Sequence, residues 1–530
     1  LAAFARRAEA KDLTLTAFFD SNPSRVVTRS LNLAPAQKAL AEFAFLDPSR
    51  DRDRDTLKLQ LSSRDGRTLW SQSIPIVIVR EPPRLPAFGA TSLKLRFDAP
   101  ISLRDPKTGA FSTLPYENGW DPKLNDVVVS LPNGARFVFW RGSSYIPFWA
   151  GVRNTGLCYE WAEQLNRPAD AVDCVEPLMD KELRYGRVKI VESTPARVHV
   201  RWRYQSTDLH YKVWGDEAVE DYYFYPDGFG TRVLTLKADP AADYELAELI
   251  ILAPQEAYPF QVLPRAPITL IGHDGSVHPV EFPVDRAREA ETRARVKPPV
   301  IYSVSLDPSD PLRAILYNPR DSELAPLWFG HFQEGAEIVT PAYWGSHWPL
   351  ARGNATGSAI DDRIAVTPSH NSLMSWAKSK PRPVSERLIE THDAQGRART
   401  MIERRWVWLI GMSAESNQEL IARSRSFASP PSIALSGARL AFDSAIHERR
   451  AIGIEVESPR IEIRLAPQTL IKNPVFELSC APASQPRVEL NGHALPANDF
   501  AWDGRVLWIN RTIDRETQII ITFPDQDSSR

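Results

Sequence analysis

The sequence predicts a mainly β chain built as three successive β-sandwich units. Three observations carry this expectation. Short runs of alternating apolar and polar residues recur along the whole chain. Proline is abundant, at 44 residues, and punctuates those runs. The 530 residues exceed what one ordinary core organises, and the character of the runs changes twice along the chain.

The runs can be taken in order. "LTLTAFF" and "TLKLQLSS" alternate, and "SIPIVIV" adds β-branched residues. A polar turn carrying Gly66 joins two of them. Residues 1–84 therefore read as a small N-terminal β-sandwich, closed by the stiff linker "REPPRLP". Longer strands follow, among them "DVVVSL", "ARFVFW", "RVKIVES", "ARVHVRWRYQS", "EDYYFYPDG" and "TMIERRWVWLIGM". Residues 85–428 read as a large antiparallel β-sandwich with long loops, the segments where function concentrates. "DRAREAETRARVKPP" reads as a charged short helix, and "NQELIARSRSFASPP" as a helix stopped by its prolines. Compact, closely spaced strands such as "RIEIRLAP" and "TQIIITFP" make residues 429–530 a C-terminal β-sandwich.

Charge and motifs exclude several classes. A net charge of -2 lacks the basic excess of a nucleic-acid binder. No apolar run approaches the ~20 residues that span a bilayer. There is no G-x-S-x-G, Walker loop, H-E-x-x-H or C-x-x-C spacing, so no metal ligand set is predicted. Three cysteines leave at least one thiol without an intrachain partner, and Cys158 could pair with Cys174 in an exported protein. The 15 tryptophans suit either large β cores or sugar-stacking surfaces.

Four stretches carry the chemistry-bearing residues. "RFVFWRGSSYIPFW" sets Arg141 and Tyr145 among Trp140 and Trp149. Either Arg141 pairs with a core carboxylate, or it clamps a ligand's carboxylate with its forked donors. "LCYEWAEQL" places Glu160 and Glu163 three apart, on one face if helical. In "STDLHYKVWGDEAVEDYYFYPDG", period two puts Asp221, Tyr223 and Tyr225 on one strand face and Tyr222 and Phe224 on the other. His210 and Tyr211 are expected in an adjacent strand. "PAYWGSHWPLARGNATGSAIDDR" sets His347 between Trp344 and Trp348, ahead of Asp361, Asp362 and Arg363. A histidine in that company is suited to proton exchange near neutral pH.

These stretches, in this order, resemble the large β-sandwich domain of polysaccharide lyases, and in particular the ulvan-lyase-like group. The pattern W-R-G-x-x-Y-x-P falls on Trp140, Arg141, Gly142, Tyr145 and Pro147. "YPDG" covers Tyr225 to Gly228, and the "HWP" loop with its following D-R covers His347, Trp348, Pro349, Asp362 and Arg363. The resemblance spans roughly residues 90 to 420. It implies a supersandwich, mutarotase-like central domain and a secreted, periplasmic or cell-surface protein whose leader is absent from this numbering. It also implies a uronic-acid-containing, ulvan-like polysaccharide as the substrate, with its sulfation left open.

Lyase chemistry gives these residue types roles. β-Elimination removes the sugar's C5 proton, so charge builds on the adjacent carboxylate, which Arg141 would neutralise. Tyr145 and His347 would carry protons, with His210 and Tyr223 in reserve. Trp140, Trp149, Trp344 and Trp348 would form stacking subsites, and Glu160, Glu163, Tyr225 and Arg363 would touch substrate. No cofactor is required by this chemistry, and a structural calcium or zinc ion is left open. Two other classes remain. A glycoside hydrolase would draw its two carboxyls from Glu160, Glu163, Asp221 and Asp362, and a non-catalytic glycan-binding protein would use the tryptophans alone.

Overall fold

The computed structural model describes residues 2–4, 10–33, 38–41, 43, 54–77, 84–95, 101–104, 111–114, 120–152, 155–158, 161–166, 168–171, 174–180, 182–208, 210–246, 249–252, 263–281, 286–324, 351–353, 379–392, 396–441 and 446–524. The chain is mainly β, as its alternation predicts.

The main N-terminal strands are β1 (Ala10–Phe19), β2 (Asn22–Leu33), β3 (Arg54–Ser62) and β4 (Thr68–Val77), beside a short pair formed by Ala2–Phe4 and Lys38–Leu40. The main strands form one antiparallel sheet in the order β2-β1-β3-β4. Leu13, Leu15, Leu31 and Leu33 line its apolar face, because they recur every second residue.

The central region is a sandwich of two sheets. Its strands begin with β5 (Gly89–Leu93), β6 (Asp126–Ser130), β7 (Arg136–Phe139), β8 (Pro147–Ala150) and β9 (Gly156–Cys158). They continue with β10 (Arg187–Ser193), β11 (Val198–Tyr204), β12 (Glu217–Phe224), β13 (Phe229–Ala238) and β14 (Ile250–Leu252). Next come β15 (Ile268–Gly272), β16 (Val277–Val280), β17 (Val300–Ser305), β18 (Arg313–Tyr317), β19 (Ser385–His392) and β20 (Ala398–Ser413). The smaller sheet runs β14-β9-β8-β7-β6-β5. The larger runs β10-β11-β12-β13-β20-β18-β17-β15-β16, with β19 also paired to β20.

Aromatic side chains fill the space between these sheets. Phe137 and Trp149 from the smaller sheet meet Tyr222 and Phe224 from the larger, with ring centroids between 4.9 and 5.8 Å apart. One ion pair is sealed in with them. Arg232 donates to Glu220 through Nε at 2.6 Å and Nη2 at 2.9 Å, and the hydroxyls of Tyr204 and Tyr222 donate to the same carboxylate. A buried pair survives when its remaining lone pairs are satisfied in this way.

Among the described residues, the outer face of the larger sheet is covered over only part of its width. Helix α1 (Arg286–Arg295) is the charged helix predicted from sequence, and α2 (Asn417–Ala428) is the one ahead of Pro430 and Pro431. Ser416 and Glu419 form a reciprocal capping box that starts α2. Leu420, Ile421 and Phe427 of α2 pack on Ile271, Ile301, Ile315, Tyr317 and Leu409. A third helix, α3 (Ile446–Arg449), lies over β13, where the Thr231 hydroxyl donates to the Glu448 carbonyl.

The C-terminal region is a second sandwich of two five-stranded sheets. Ile454, Ile461, Ile463, Phe476, Leu507 and Ile519 pack between them. Strands Ile452–Val456 and Val475–Ser479 pair in parallel there. This unit extends the cover begun by α2, since Val475, Val506 and Trp508 join the same outer-face cluster. No helix among the described residues is long and apolar enough to cross a membrane. Of the two states the sequence left open for Cys158 and Cys174, the structure shows the one without a bridge between them.

Candidate functional site

Arg141 and Tyr145, expected on the wall of a cleft, lie in the core. Arg141 is 2% exposed and its carboxylate partner is Asp126, the first residue of β6. The guanidinium donates through Nε and Nη2 at 3.0 to 3.2 Å, and the Arg141 backbone N–H adds a bond of 2.6 Å. Leu95 N–H supplies another at 2.7 Å. Burial pushes the Asp126 carboxyl up from its ordinary value, against the pull of Arg141.

The Tyr145 hydroxyl donates to the Asn125 carbonyl at 2.9 Å, and burial and the Asp126 charge push its phenol up. Trp149 is fully buried against Phe137 and Phe224, and Trp140 is half-buried. The motif's glycine has a steric reason, because a Cβ on Gly142 would stand 2.3 Å from the Trp140 indole. The physical reason for the correction is distance along the chain. The charge that explains Arg141 lies in another strand, outside the motif that singled it out.

The other expected residues are scattered. His347, Trp344, Trp348, Arg363 and Glu160 lie outside the described residues. Glu163 is half-buried in a two-residue strand opposite Glu245, rather than on a helix. His210 is exposed in a turn, not in a strand beside Tyr223, because Asp208 accepts from its backbone N–H at 2.8 Å and closes a tight loop. Tyr225 is buried, with its hydroxyl donated to the Arg449 carbonyl and Arg450 above its ring.

Tyr223 does have a histidine beside it, and that residue is His199. The alternation of β11 puts Val198, Val200, Trp202 and Tyr204 into the core and turns His199, Arg201 and Arg203 outward. The alternation of β12 turns Asp221 and Tyr223 outward, as period two predicted. Antiparallel register then sets His199 opposite Tyr223 and Arg201 opposite Asp221. The rings of His199 and Tyr223 stack at 4.3 Å. His199 Nε2 lies 2.6 Å from Asp221 Oδ1, and Arg201 donates to both carboxylate oxygens at 2.8 and 3.1 Å.

The electrostatics follow from these contacts. Burial works to raise the Asp221 carboxyl, but the hydrogen bonds from His199 and Arg201 outweigh it and hold it below the ordinary range. An ionised carboxylate can only accept, so Nε2 of His199 carries the proton. In the neutral ring the lone pair then sits on Nδ1. Burial first, and the Asp221 charge second, push the Tyr223 phenol well up, so it stays protonated. Arg197 lies 5.6 Å from the Tyr223 ring centre, and its guanidinium is held by Glu192 and by Glu477 of the C-terminal sandwich.

The cluster stands at a boundary. His199 and Asp221 are each 9% exposed at their side chains, whereas Arg201, on the open side, is 49% exposed. Toward β13 the sheet is capped by α3 and the C-terminal sandwich, and toward β10 its outward side chains Arg187, Lys189, Arg201 and Arg203 are exposed. A base, an acid and a cation thus meet at the foot of a wall, beside an open floor. A second recess lies between α2 and the C-terminal sandwich, near Phe427, Arg450 and Lys472. Its charges are consumed internally, since Asp227 binds Arg423 and Arg450 while Glu415 binds Arg423 and Lys472. Among the described residues no group of three His, Cys, Asp or Glu side chains is placed to hold a metal.

Sequence reasoning singled out Tyr223 and placed Asp221 on its face but passed over His199. Its signal was present: "RVHVRWR" alternates, so the histidine had to share a face with three arginines. No protein-family model matches the chain, and no curated protein matches it either.

Proposed function

We propose that the protein is a polysaccharide lyase that cleaves uronate-containing chains by β-elimination at the His199–Asp221–Arg201–Tyr223 cluster. The observation that carries this reading is the stacking of His199 on Tyr223, with Asp221 fixing the imidazole tautomer. Nδ1 of His199 takes the C5 proton. The C5–H electron pair becomes the C4–C5 double bond as the C4–O4 bond breaks. The departing O4 takes the Tyr223 phenolic proton, so atoms and charge balance. Arg201 offsets the charge that develops on the uronate carboxylate. Positioned acid–base groups of this kind contribute typically ~10²–10⁴ in rate.

The two rings lie on one side of the floor, so proton removal and delivery come from the same face of the sugar. That favours syn elimination, which needs H5 and O4 on one face, as in glucuronate. The test is incubation with glucuronan, hyaluronan and ulvan while near-UV absorbance of the new double bond is followed. Absorbance that is lost in His199→Ala supports the reading. New reducing ends without absorbance, on every substrate, would make the protein a hydrolase.

A further inference from the structure

We infer that the open outer face of β10 and β11 is a track for an anionic polysaccharide, running from the loop around Tyr211 and Trp214 to the His199 cluster. This inference rests on the lyase reading and adds the substrate's charge and direction to it.

Four cations stand on this face. Arg187 pairs in register with Arg203, and Lys189 with Arg201. Their neighbours Val188, Ile190, Val200 and Trp202 face the core, so period two turns the cations outward together. All four are exposed. Cations two residues apart along a strand repeat at about 7 Å, and Arg203 to His199 spans about 13 Å. A lysine or arginine on β10 alone would blunt an edge strand against pairing. That reason does not extend to Arg201 and Arg203, which lie one strand further in.

Neutralisation on the face is incomplete. Arg201 shares Asp221 with His199, and Glu217 lies 3.6 Å from Arg203. Arg187 donates to the carbonyls of Leu183 and Gly186, and its charge is only partly offset, through the buried Asp180 carboxyl nearby. No carboxylate among the described residues pairs with Lys189.

The far end of the track is a built aromatic platform. Arg184 sits 3.9 Å above the Tyr211 ring, and Lys212 3.7 Å above the Trp214 ring, each also paired with a carboxylate, Glu182 at 2.9 Å and Asp170 at 2.7 Å, so this end offers ring faces more than free charge. Tyr211 and Trp214 are half-exposed. Two buried aspartates hold this end in shape. Asp180 accepts from the N–H groups of Arg184, Tyr185 and Gly186, and Asp208 from those of His210 and Lys212. Leu183 and Tyr211 are held at φ of 55° and 61°, a conformation that non-glycine residues adopt at a cost. Strained turns that carry cation-faced aromatics beside a cationic strand pair match a polymer offering both sugar faces and repeated anions. The whole chain's charge of -2 argues for a local glycan track over general nucleic-acid binding.

The test uses the full chain carrying His199→Ala, so that turnover does not consume the probe. Binding of glucuronan, neutral dextran and single-stranded DNA is measured by calorimetry at low and high salt. The expected result is salt-sensitive binding of glucuronan and none of dextran. Adding Lys189→Glu with Arg203→Glu should weaken glucuronan binding at least tenfold at an unchanged melting temperature, and Trp214→Ala should weaken it independently. If the double variant is destabilised, Lys189→Ala with Arg203→Ala replaces it. Unchanged affinity in these variants, equal binding of dextran, or tighter binding of DNA would each overturn the track. Absorbance assays on the otherwise native chain judge the lyase reading separately. With His199 intact, Lys189→Glu/Arg203→Glu should raise KM and leave kcat within about twofold.

Discussion

His199 lies flat over Tyr223, with ring centres 4.3 Å apart and planes 23° from parallel, and the two residues face each other across the β11–β12 ladder. A rigid ladder therefore sets the spacing of the proposed base and acid.

Tyr223→Phe removes only the phenolic hydroxyl and with it the proton it would deliver. It should lower the elimination rate by ~10²–10⁴ while the melting temperature stays nearly constant. A continuous near-UV assay on glucuronan, paired with calorimetry, checks both.

Asp221→Asn leaves the imidazole without the carboxylate that holds its proton on Nε2. The rate should fall at least ~10²-fold, with KM for glucuronan changed far less than kcat. Steady-state kinetics over a range of pH separate this positioning role from a loss of binding.

Same-face proton removal and delivery predicts a choice between epimers. Glucuronan should be cleaved and polygalacturonate, whose O4 lies on the other face, should resist. Product absorbance on the two polymers under identical conditions decides it.

Arg141→Met should destabilise the fold by about 3–5 kcal/mol, because Asp126 is left charged and buried. Adding Asp126→Leu should recover much of that loss. Activity per folded molecule should be unchanged in the double variant, as read from denaturant titration and active-site-normalised rates.

Asp216 provides a pH test of stability. Burial, partly offset by bonds from Ser206 and Tyr244, pushes its carboxyl from the ordinary 3.8 up to about 6. The folded state therefore favours the protonated form. The stabilisation is fully present below pH 4 and is lost as the pH rises through about 6, a change of about 3 kcal/mol. Asp216→Asn should keep the protein more stable at pH 7 and flatten that slope in melting curves taken between pH 4 and 7.

Alternation made the strands legible, because a half-buried strand leaves a period-two signature in β11 and β12 that no helix shares. The same period correctly set Asp221 and Tyr223 on one face and Phe224 on the other. Partnership across strands was not legible. Arg141 drew attention because its neighbours are aromatic, yet Asp126 fifteen residues upstream explains it. His199 was overlooked because its significance comes from register with Tyr223, which only pairing reveals. The short loop at His210 looked like strand because its tight turn depends on one buried aspartate side chain.

The ion pair from Arg197 to Glu477 and the bond from Thr194 to Asp503 stitch the β10–β11 hairpin to the last strands of the chain. During synthesis β11 and β12 leave the ribosome long before Glu477 and Asp503 do. A nascent chain thus holds His199 and Tyr223 in a bare sheet, before the wall that buries Tyr223 has docked. Under the lyase reading, the site would be complete only once this last docking has buried Tyr223.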